Sequence, residues 1–174
     1  MGTDTKERYG KVTRTLHWVM AVLVFWQFLK FFDRIRDGEH WIGETLVPWH
    51  VSIGCVIFLL VILRAIWAAK QRDNRPENDP AVAALAKLGH RLLYAGMVLL
   101  PITGVLYIVG RGYGVKAFGI QLISGSGTET AWMQTVGSLH SPIAWLLLIM
   151  VIGHVAAALW HHFVKKDGVL QRML

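Results

Sequence analysis

The sequence predicts an all-α fold: an integral membrane four-helix bundle with both termini in the cytoplasm. The 174 residues are 54% hydrophobic, and their mean hydropathy is +0.44. Only 17% are charged, against roughly 25% in typical soluble domains. Four long stretches contain no Asp, Glu, Lys or Arg: residues 15–29, 46–63, 92–110 and 130–164. Most cations fall on one side of the four-span topology that these stretches imply.

Each uncharged stretch is the centre of a predicted span, because about 20 mostly apolar residues cross the hydrocarbon core of a bilayer. The spans are predicted at about residues 15–32, 47–69, 88–109 and 130–164 of a single transmembrane domain that covers residues 1–174. The first stretch is short, and the aliphatic stem of Lys30 extends it by snorkelling. The fourth is longer than one crossing requires, so we expect it to tilt or to begin outside the bilayer.

The connections between the spans have polar compositions. They are a basic arm at residues 1–14, an outer loop at 33–46, a polar inner loop at 70–79 closed by Pro76 and Pro80, and a Gly- and Ser-rich outer connection at 110–129. Proline and glycine clusters of this kind mark loops. Pro101 in span three and Pro142 in span four are predicted to kink their helices or to loosen a turn.

The distribution of cations sets the predicted orientation. The inner side carries Lys6, Arg8, Lys11, Arg14, Arg64, Lys70, Arg72, Arg75, Lys87, Arg91, Lys165, Lys166 and Arg172, and the outer side carries Lys30, Arg34, Arg36, Arg111 and Lys116. Cytoplasmic loops are enriched in Lys and Arg, so both termini are predicted in the cytoplasm. The net charge of +7 is therefore a topology signal and not a sign of nucleic-acid binding. A single cysteine, Cys55, excludes an intrachain disulfide and a cysteine-ligated iron–sulfur cluster.

Four histidines lie at matching depths within the predicted spans. His17 is in the first span, His50 in the second, and His140 and His154 are in the fourth. Polar side chains are costly in lipid, and ionisable ones there usually have a function. His140 and His154 are separated by nearly four full helical turns, so they share one helix face and lie about 21 Å apart along its axis.

His140 and His154 each have a predicted partner at the same depth. Span two enters from the outer side, which puts His50 level with His140, and span one enters from the inner side, which puts His17 broadly level with His154. Neutral imidazole is a good iron ligand, and two axial imidazoles leave no open coordination position. The four histidines therefore predict two haem groups, one near each membrane face. The alternative for any one of them is a hydrogen-bonded packing residue.

The remaining histidines have weaker predictions. His90 begins span three on the inner side, and His161 lies about 10 Å closer to the cytoplasm than His154 on roughly the same face. Each is either an interfacial histidine or a group that binds a quinone carbonyl and delivers a proton to it. His90 is also a competitor of His17 as an inner ligand. His40 and His162 are interpreted as surface histidines.

Cations at the span ends have two interpretations each. Arg14, Arg64 and Arg91 either snorkel and set topology or pair with haem propionates, because guanidinium suits carboxylate. Arg111 and Lys116 lie in the outer connection. They are either solvated or form a positive mouth that attracts a small anion to the outer haem.

Short motifs throughout the chain carry a family resemblance. They are Leu16-His17-Trp18, His50-Val51-Ser52-Ile53-Gly54, Leu88-Gly89-His90, Leu100-Pro101-Ile102-Thr103-Gly104, Arg111-Gly112, Ala117-Phe118-Gly119, the run from Gly153 to Phe163, and the run from Lys166 to Met173. In order and spacing these residues resemble the bacterial cytochrome b561 family of small di-haem membrane proteins. Pro142 departs from the pattern expected for this family.

The resemblance implies two b-type haems held by His17, His50, His140 and His154, in a multi-pass protein of the bacterial inner membrane. It also implies electron exchange with ubiquinone. Some members resemble superoxide oxidases, which take an electron from superoxide outside and pass it to quinone. Carried over, Arg111 and Lys116 guide superoxide. His161, with His90, lies near the quinone.

Two other functions remain open at this stage. A cytochrome subunit that anchors a dehydrogenase or hydrogenase partner also fits a small histidine-ligated bundle, and its electron donor is then a redox protein. A histidine-lined metal or proton transporter is the third interpretation. The four predicted spans contain no Asp or Glu. This argues against a cation pathway, because such pathways usually include carboxylates.

Overall fold

The structure is a computed structural model that describes residues 2–35, 41–76 and 82–174. Its helices are α1 (Lys11–Ile35), α2 (Trp41–Thr45), α3 (His50–Lys70), α4 (Ala83–Gly110), α5 (Ala131–Gly137) and α6 (His140–Trp160). A two-stranded antiparallel hairpin consists of β1 (Val115–Ala117) and β2 (Ile120–Ile123). Short 3-10 turns cover Val47–Trp49, Arg72–Asn74 and Gln171–Met173, and a π-helical segment covers His161–Lys165.

Four helical segments in the described ranges are long and apolar enough to cross a membrane. They are Lys11–Phe31, Trp41–Lys70, Ala83–Gly110 and Ala131–Lys165. This confirms the predicted all-α membrane bundle. Large apolar side chains such as Phe25, Leu59 and Ile149 are more than 60% exposed. A bilayer covers such side chains as well as a protein core does, so their exposure fits a lipid-facing surface.

The helices pack in a chain of neighbours. α1 packs against α3, α3 against α4, and α4 against both α5 and α6. A buried cluster of Val24, Ile53 and Ile57 joins α1 to α3, and Met97 of α4 and Val151 of α6 pack against it. All four long helices therefore contribute side chains to this cluster.

The fourth predicted span is broken into two helices. α5 ends at Gly137 and α6 begins at His140, so Pro142 lies in the first turn of α6 instead of inside a continuous helix. Proline is tolerated in a first turn because the missing N–H has no helical acceptor there. The break is the physical result of the predicted proline effect, and it makes His140 the first residue of its helix.

The outer connection contains a hairpin that its Gly- and Ser-rich composition did not indicate. Phe118 (φ 49°) and Gly119 (φ 81°) form the turn, and two consecutive positive φ angles suit the twist of a two-residue hairpin. Val115 and Ala117 are buried, and the Phe118 N–H donates to Ser52 Oγ of α3 at 3.0 Å. The hairpin is thus docked on the outer end of α3, close to His50.

A polar arm closes the inner end. Asp4 is buried, and its Oδ1 accepts hydrogen bonds from the Gly10 N–H (2.8 Å) and the Thr13 hydroxyl (2.6 Å). Its Oδ2 pairs with Arg75 at 3.3 Å, and its backbone N–H donates to Gln71 Oε1 at 3.1 Å. The arm is therefore attached to both α1 and the segment after α3.

Candidate functional site

The outer histidine pair faces across the bundle. His50 is the first residue of α3 and His140 is the first residue of α6. Their ring centroids are 6.0 Å apart, and the ring planes are inclined by 79°. A metal bound by two imidazole nitrogens at about 2 Å each separates the ring centroids by roughly 6 Å. The spacing suits one metal atom held between the two rings.

The His140 ring is seated on α4. Its Nδ1 lies 2.9 Å from the carbonyl oxygen of Leu100. A carbonyl only accepts, so Nδ1 carries the proton and Nε2 keeps its lone pair for a metal. Thr103 is buried next to this contact, with its hydroxyl 2.8 Å from Leu99 O and 3.4 Å from His140 Nδ1. A Cβ on Gly104 would lie only 3.1 Å from His140 Nδ1 and Cε1.

A mostly apolar cavity of about 300 Å³ lies between the two outer histidines. Gly54 and Gly104 line it, together with Lys30 and Gln27 of α1. Gln27 donates through Nε2 to the carbonyl of His50 at 2.9 Å, which fixes its amide. Its Oε1 is buried and has no hydrogen-bond partner in the described part of the chain. An unsatisfied buried acceptor beside an apolar cavity fits a site that receives a large, mainly apolar group with a few polar atoms.

The inner end brings three histidines together. The centroids of His17 and His154 are 6.2 Å apart with the planes inclined by 65°, and those of His90 and His154 are 5.6 Å apart with the planes inclined by 72°. His154 lies between the other two. The structure thus brings together the predicted inner pair and the competitor that the sequence left open.

Arg64 contacts the inner pair directly. Its guanidinium donates to His17 Nδ1 at 3.0 Å and lies 5.5 Å from the centroid of the Tyr94 ring. No carboxylate of the described ranges is within salt-bridge distance of it. A neutral imidazole that accepts at Nδ1 carries its proton on Nε2. If His17 held a metal through Nε2, its Nδ1 would carry the proton, and Arg64 would then no longer donate to it.

The other two arginines that were predicted as propionate partners, Arg14 and Arg91, do not contact the inner histidines in this way. Arg14 and Arg8 donate to the backbone oxygen of Leu174, and the Trp18 indole N–H donates to the Met173 carbonyl at 2.9 Å. These contacts attach the last residues to α1. Arg91 is exposed on α4. Arg64 is therefore the inner arginine that directly contacts a histidine pair.

The two outer cations are accessible. Arg111 follows the last residue of α4, and its guanidinium lies 4.9 Å from the centroid of Tyr107, which lines the outer cavity. Lys116 is the exposed central residue of β1. Both side chains lie on the outer side, at the hairpin and the end of the helix that seats His140.

His161 begins the π-helical segment and has an acidic partner. Its Nδ1 lies 2.5 Å from Asp167 Oδ2. His162 contacts Gln171 instead, with 2.9 Å between its Nδ1 and Gln171 Nε2. His40 lies outside the described residues. Asp167, Gln27 and Thr103 were not among the predicted site residues. Asp167 and Thr103 each stand in one of the family motifs, which was the available sequence signal, whereas Gln27 had none.

The whole chain matches one family. The model for prokaryotic cytochrome b561 matches residues 8–174. The chain belongs to the prokaryotic cytochrome b561 family. Members of this family bind b-type haem and transfer electrons across the membrane. The chain is accordingly an oxidoreductase-type, multi-pass protein of the inner membrane. This confirms the family resemblance and the localisation predicted from the sequence.

Curated relatives of the cytochrome b561 family align over almost the full chain. "Cytochrome b561 homolog 2" of Escherichia coli is 28% identical over 179 residues, covering 99% of this chain and 94% of that protein. "Probable superoxide oxidase CybB" of Yersinia pestis is 26% identical over 176 residues, with 97% and 96% covered. "Cytochrome b562" of Cereibacter sphaeroides is 24% identical over 178 residues, with 95% and 94% covered.

Proposed function

We propose that the chain binds two b-type haems, one between His50 and His140 at the outer end and one between His17 and His154 at the inner end. The observation that carries this proposal is the pair of centroid distances, 6.0 Å and 6.2 Å, at two depths of one bundle. His140 and His154 lie on α6 about 21 Å apart along the helix axis, at 1.5 Å per residue. When bound, the haems supply one-electron redox chemistry with closed coordination.

The residues around each pair support haem and not a bare metal ion. No cluster of three or more metal-ligating side chains suited to a metal ion occurs in the described ranges. The outer cavity is apolar, and Gly54 and Gly104 line it without side chains. Histidine pairs with one orienting hydrogen bond, as from His140 to Leu100, are typical of tuned metal ligands.

We propose that His90 lies beside the inner histidine pair and is not itself a haem ligand. The His90 ring, on α4, lies 5.6 Å from the His154 ring between centroids. His90 therefore packs against His154, the proposed ligand. Arg64 is the assigned partner of a propionate of the inner haem, because its guanidinium is half-buried and lacks a carboxylate among the described residues.

We further propose that the electron donor is superoxide on the outer side and the acceptor is ubiquinone near His161 on the inner side. Arg111 and Lys116 form an accessible positive surface at the outer end, which favours the approach of a small anion. Closed coordination shells mean that the donor needs proximity and charge matching and not an open iron position. The name of the Yersinia relative includes superoxide oxidase, which supports this choice of donor.

The test uses the purified full-length protein in detergent. Pyridine haemochrome analysis is expected to give two b haems per chain, and superoxide from xanthine and xanthine oxidase is expected to reduce them. Added short-chain ubiquinone then reoxidises them, and superoxide dismutase abolishes the reduction. A single haem per chain contradicts the ligand assignment. If the protein holds two haems and superoxide does not reduce them, superoxide is not the donor. That result favours an anchor subunit, which is expected to copurify with a soluble redox partner.

A further inference from the structure

A histidine and a carboxylate meet just beyond the inner end of α6. His161 Nδ1 and Asp167 Oδ2 are 2.5 Å apart. The His161 side chain is 21% exposed and that of Asp167 is 35% exposed, so the pair lies at the boundary between the bundle and water. A carboxylate only accepts hydrogen bonds, so the Nδ1 of His161 carries the proton. The Nε2 of His161 is left to interact with another molecule.

The local backbone turns Asp167 back towards His161. The helix widens into a π segment at His161–Lys165, which ends at Lys166 in the left-handed conformation (φ 53°). The Val169 N–H then donates to Asp167 Oδ1 at 3.2 Å. One carboxylate oxygen is thus held by the backbone, and the other is fixed on the imidazole. π segments inside or at the end of α-helices are frequent at functional sites.

The carboxylate stays charged near neutral pH. The hydrogen bond from His161 holds the pKa of Asp167 below its usual value. A charged Asp167 holds the Nδ1–H tautomer and the orientation of the His161 ring without taking the proton itself, as in carboxylate–histidine pairs of hydrolases. Nε2 is then the ring nitrogen left for proton exchange with another molecule.

We propose that Asp167 is a positioning residue for His161, and that His161 Nε2 delivers a proton to a quinone carbonyl oxygen at the inner membrane surface. This inference rests on the proposed reduction of ubiquinone. Asp167 holds the tautomer and orientation of the ring, and His161 makes the proton transfer. Neither the carboxylate nor its hydrogen bond follows from the histidine pattern in α6.

The step balances as follows. One ubiquinone takes two electrons and two protons and becomes ubiquinol. The electrons come from two superoxide anions, each of which is oxidised to O₂. The His161 Nε2–H bond breaks as an O–H bond forms on the nearer quinone oxygen, and Nε2 then takes a proton from cytoplasmic water. The second proton reaches the opposite quinone oxygen from water.

The test measures quinone reduction separately from electron entry. The holoprotein is reduced with dithionite, freed of excess reductant, and mixed with short-chain ubiquinone, and haem oxidation is followed by absorbance. Asp167→Asn is expected to lower the limiting rate of haem oxidation about tenfold, less than the roughly 10²–10⁴-fold of a complete general acid–base contribution because His161 remains, while the ubiquinone concentration at half the limiting rate is unchanged. The ratio of rates in H₂O and D₂O is expected to rise, because proton delivery becomes slower. Asp73→Asn removes an exposed inner-side carboxylate and serves as the matched control.

A double-variant comparison tests whether Asp167 acts through His161. Asp167→Asn combined with His161→Gln is expected to be no slower than His161→Gln alone, since the carboxylate has no role without the imidazole. The inference is overturned if the rate losses of the two single variants multiply in the double variant. It is also overturned if Asp167→Asn oxidises its haems at the wild-type rate, or if Asp73→Asn is slowed equally. Haem content measured on each variant separates a folding defect from slow proton delivery, and Asp167→Glu, which keeps the carboxylate, is expected to recover part of the rate.

The proposed electron donor and the proposed role of the His161–Asp167 pair can be disproved separately. If superoxide does not reduce the wild-type haems, the proposed donor is wrong, and the dithionite experiment still measures the pair. If ubiquinone does not oxidise the chemically reduced wild-type protein, both the quinone assignment and this inference are wrong.

Discussion

Nδ1 of His140 lies 2.9 Å from the carbonyl oxygen of Leu100. The contact joins the first residue of α6 to the middle of α4, next to Pro101. It fixes Nδ1 as the protonated nitrogen of His140, and it orients the ring towards His50 across the outer cavity. Hydrogen bonds of this kind raise the basicity of an imidazole ligand and set its orientation. The contact of His140 with α4 is therefore expected to be sensitive to added volume on α4.

Gly104→Ala is expected to disturb the outer haem selectively. The added Cβ would lie 3.1 Å from Nδ1 and Cε1 of His140, so the ring must shift away from Leu100. Overpacking of this type usually costs about 1–3 kcal/mol. The measurement is haem content per chain together with the low-spin ferric signal in electron paramagnetic resonance, where the outer component changes or disappears.

Gly89→Ala is the matched control for Gly104→Ala, because it adds the same methyl group to α4 in open space. It is expected to retain both haem signals. If Gly104→Ala also retains both signals unchanged, the seat of His140 does not control the outer site.

The sequence predicted what depends on local composition and helical register. Uncharged stretches predicted the four spans, and the spacing of His140 and His154 predicted two depths on one helix face. The structure brings the expected partners, His50 and His17, to 6.0 Å and 6.2 Å from them. Helix register is set by backbone geometry alone, which is why one sequence is enough to propose these pairs.

The features that the sequence did not reveal depend on tertiary contacts. Arg64 has a hydrogen bond to His17 of another helix, and Gln27 has one to the backbone of His50. No periodicity predicts which of several polar residues at a span end makes such a contact. The hairpin at Phe118 was hidden because its strands have only three and four residues within a Gly-rich segment. A two-residue turn ending in glycine was the available signal.

His154→Ala is expected to remove the inner haem and retain the outer one. His154 is the close neighbour of both His17 and His90, so its loss removes one imidazole from each of these two ring contacts. The pyridine haemochrome assay then gives about half of the wild-type haem per chain. His90→Ala, by contrast, is expected to keep both haems. If His90→Ala loses the inner haem and His17→Ala retains it, then His90 and not His17 is the second ligand of the inner haem.

Arg64→Gln is expected to lower the midpoint potential of the inner haem. A half-buried guanidinium beside His17 favours the reduced state, which carries one positive charge less. A unit charge about 8 Å away contributes about 2 kcal/mol at an effective dielectric constant of about 20. This corresponds to roughly 50–100 mV for a one-electron couple.

Arg64→Lys keeps the charge and is the matched control in an optical redox titration. It is expected to retain most of the potential, although it loses the planar guanidinium. A potential that falls equally in both variants would assign the effect to geometry and not to charge.

Replacing Arg111 and Lys116 together by Gln is expected to slow haem reduction by superoxide. The two side chains are the accessible cations at the end of α4 and on β1. Electrostatic steering weakens as salt rises, so the difference from wild type is expected to be largest at low ionic strength. The measurement is the initial rate of haem reduction over a salt series. Equal rates at low salt would remove the guidance role.

Dithionite reduction provides the control for the Arg111 and Lys116 variant. Its two haems are expected to be reduced fully by dithionite and reoxidised by ubiquinone at the wild-type rate, because neither residue contacts a histidine pair. A slower reoxidation would mean that the hairpin substitution has altered the bundle.

The buried carboxylate of Asp4 is expected to attach the N-terminal arm to the bundle. It accepts hydrogen bonds from Gly10, Thr13 and Arg75 at 2.8, 2.6 and 3.3 Å. Substitution by Ala leaves these donors without their acceptor in a site closed to water. An unsatisfied buried donor costs about 1–3 kcal/mol. Asp4→Ala is therefore expected to destabilise the arm without touching a histidine pair.

Thermal unfolding measures the effect of Asp4→Ala. For a chain of this size, each kcal/mol lowers Tm by about 2–4 °C, so a fall of several degrees is expected together with faster proteolysis near residue 10. Asp4→Asn keeps one acceptor oxygen and is expected to be intermediate, whereas Asp73→Ala, at an exposed position, is expected to leave Tm unchanged. The haem spectrum stays that of wild type in all three, because the arm supplies no ligand. Equal Tm values for Asp4→Ala and wild type would mean that the arm contributes nothing to the stability of the bundle.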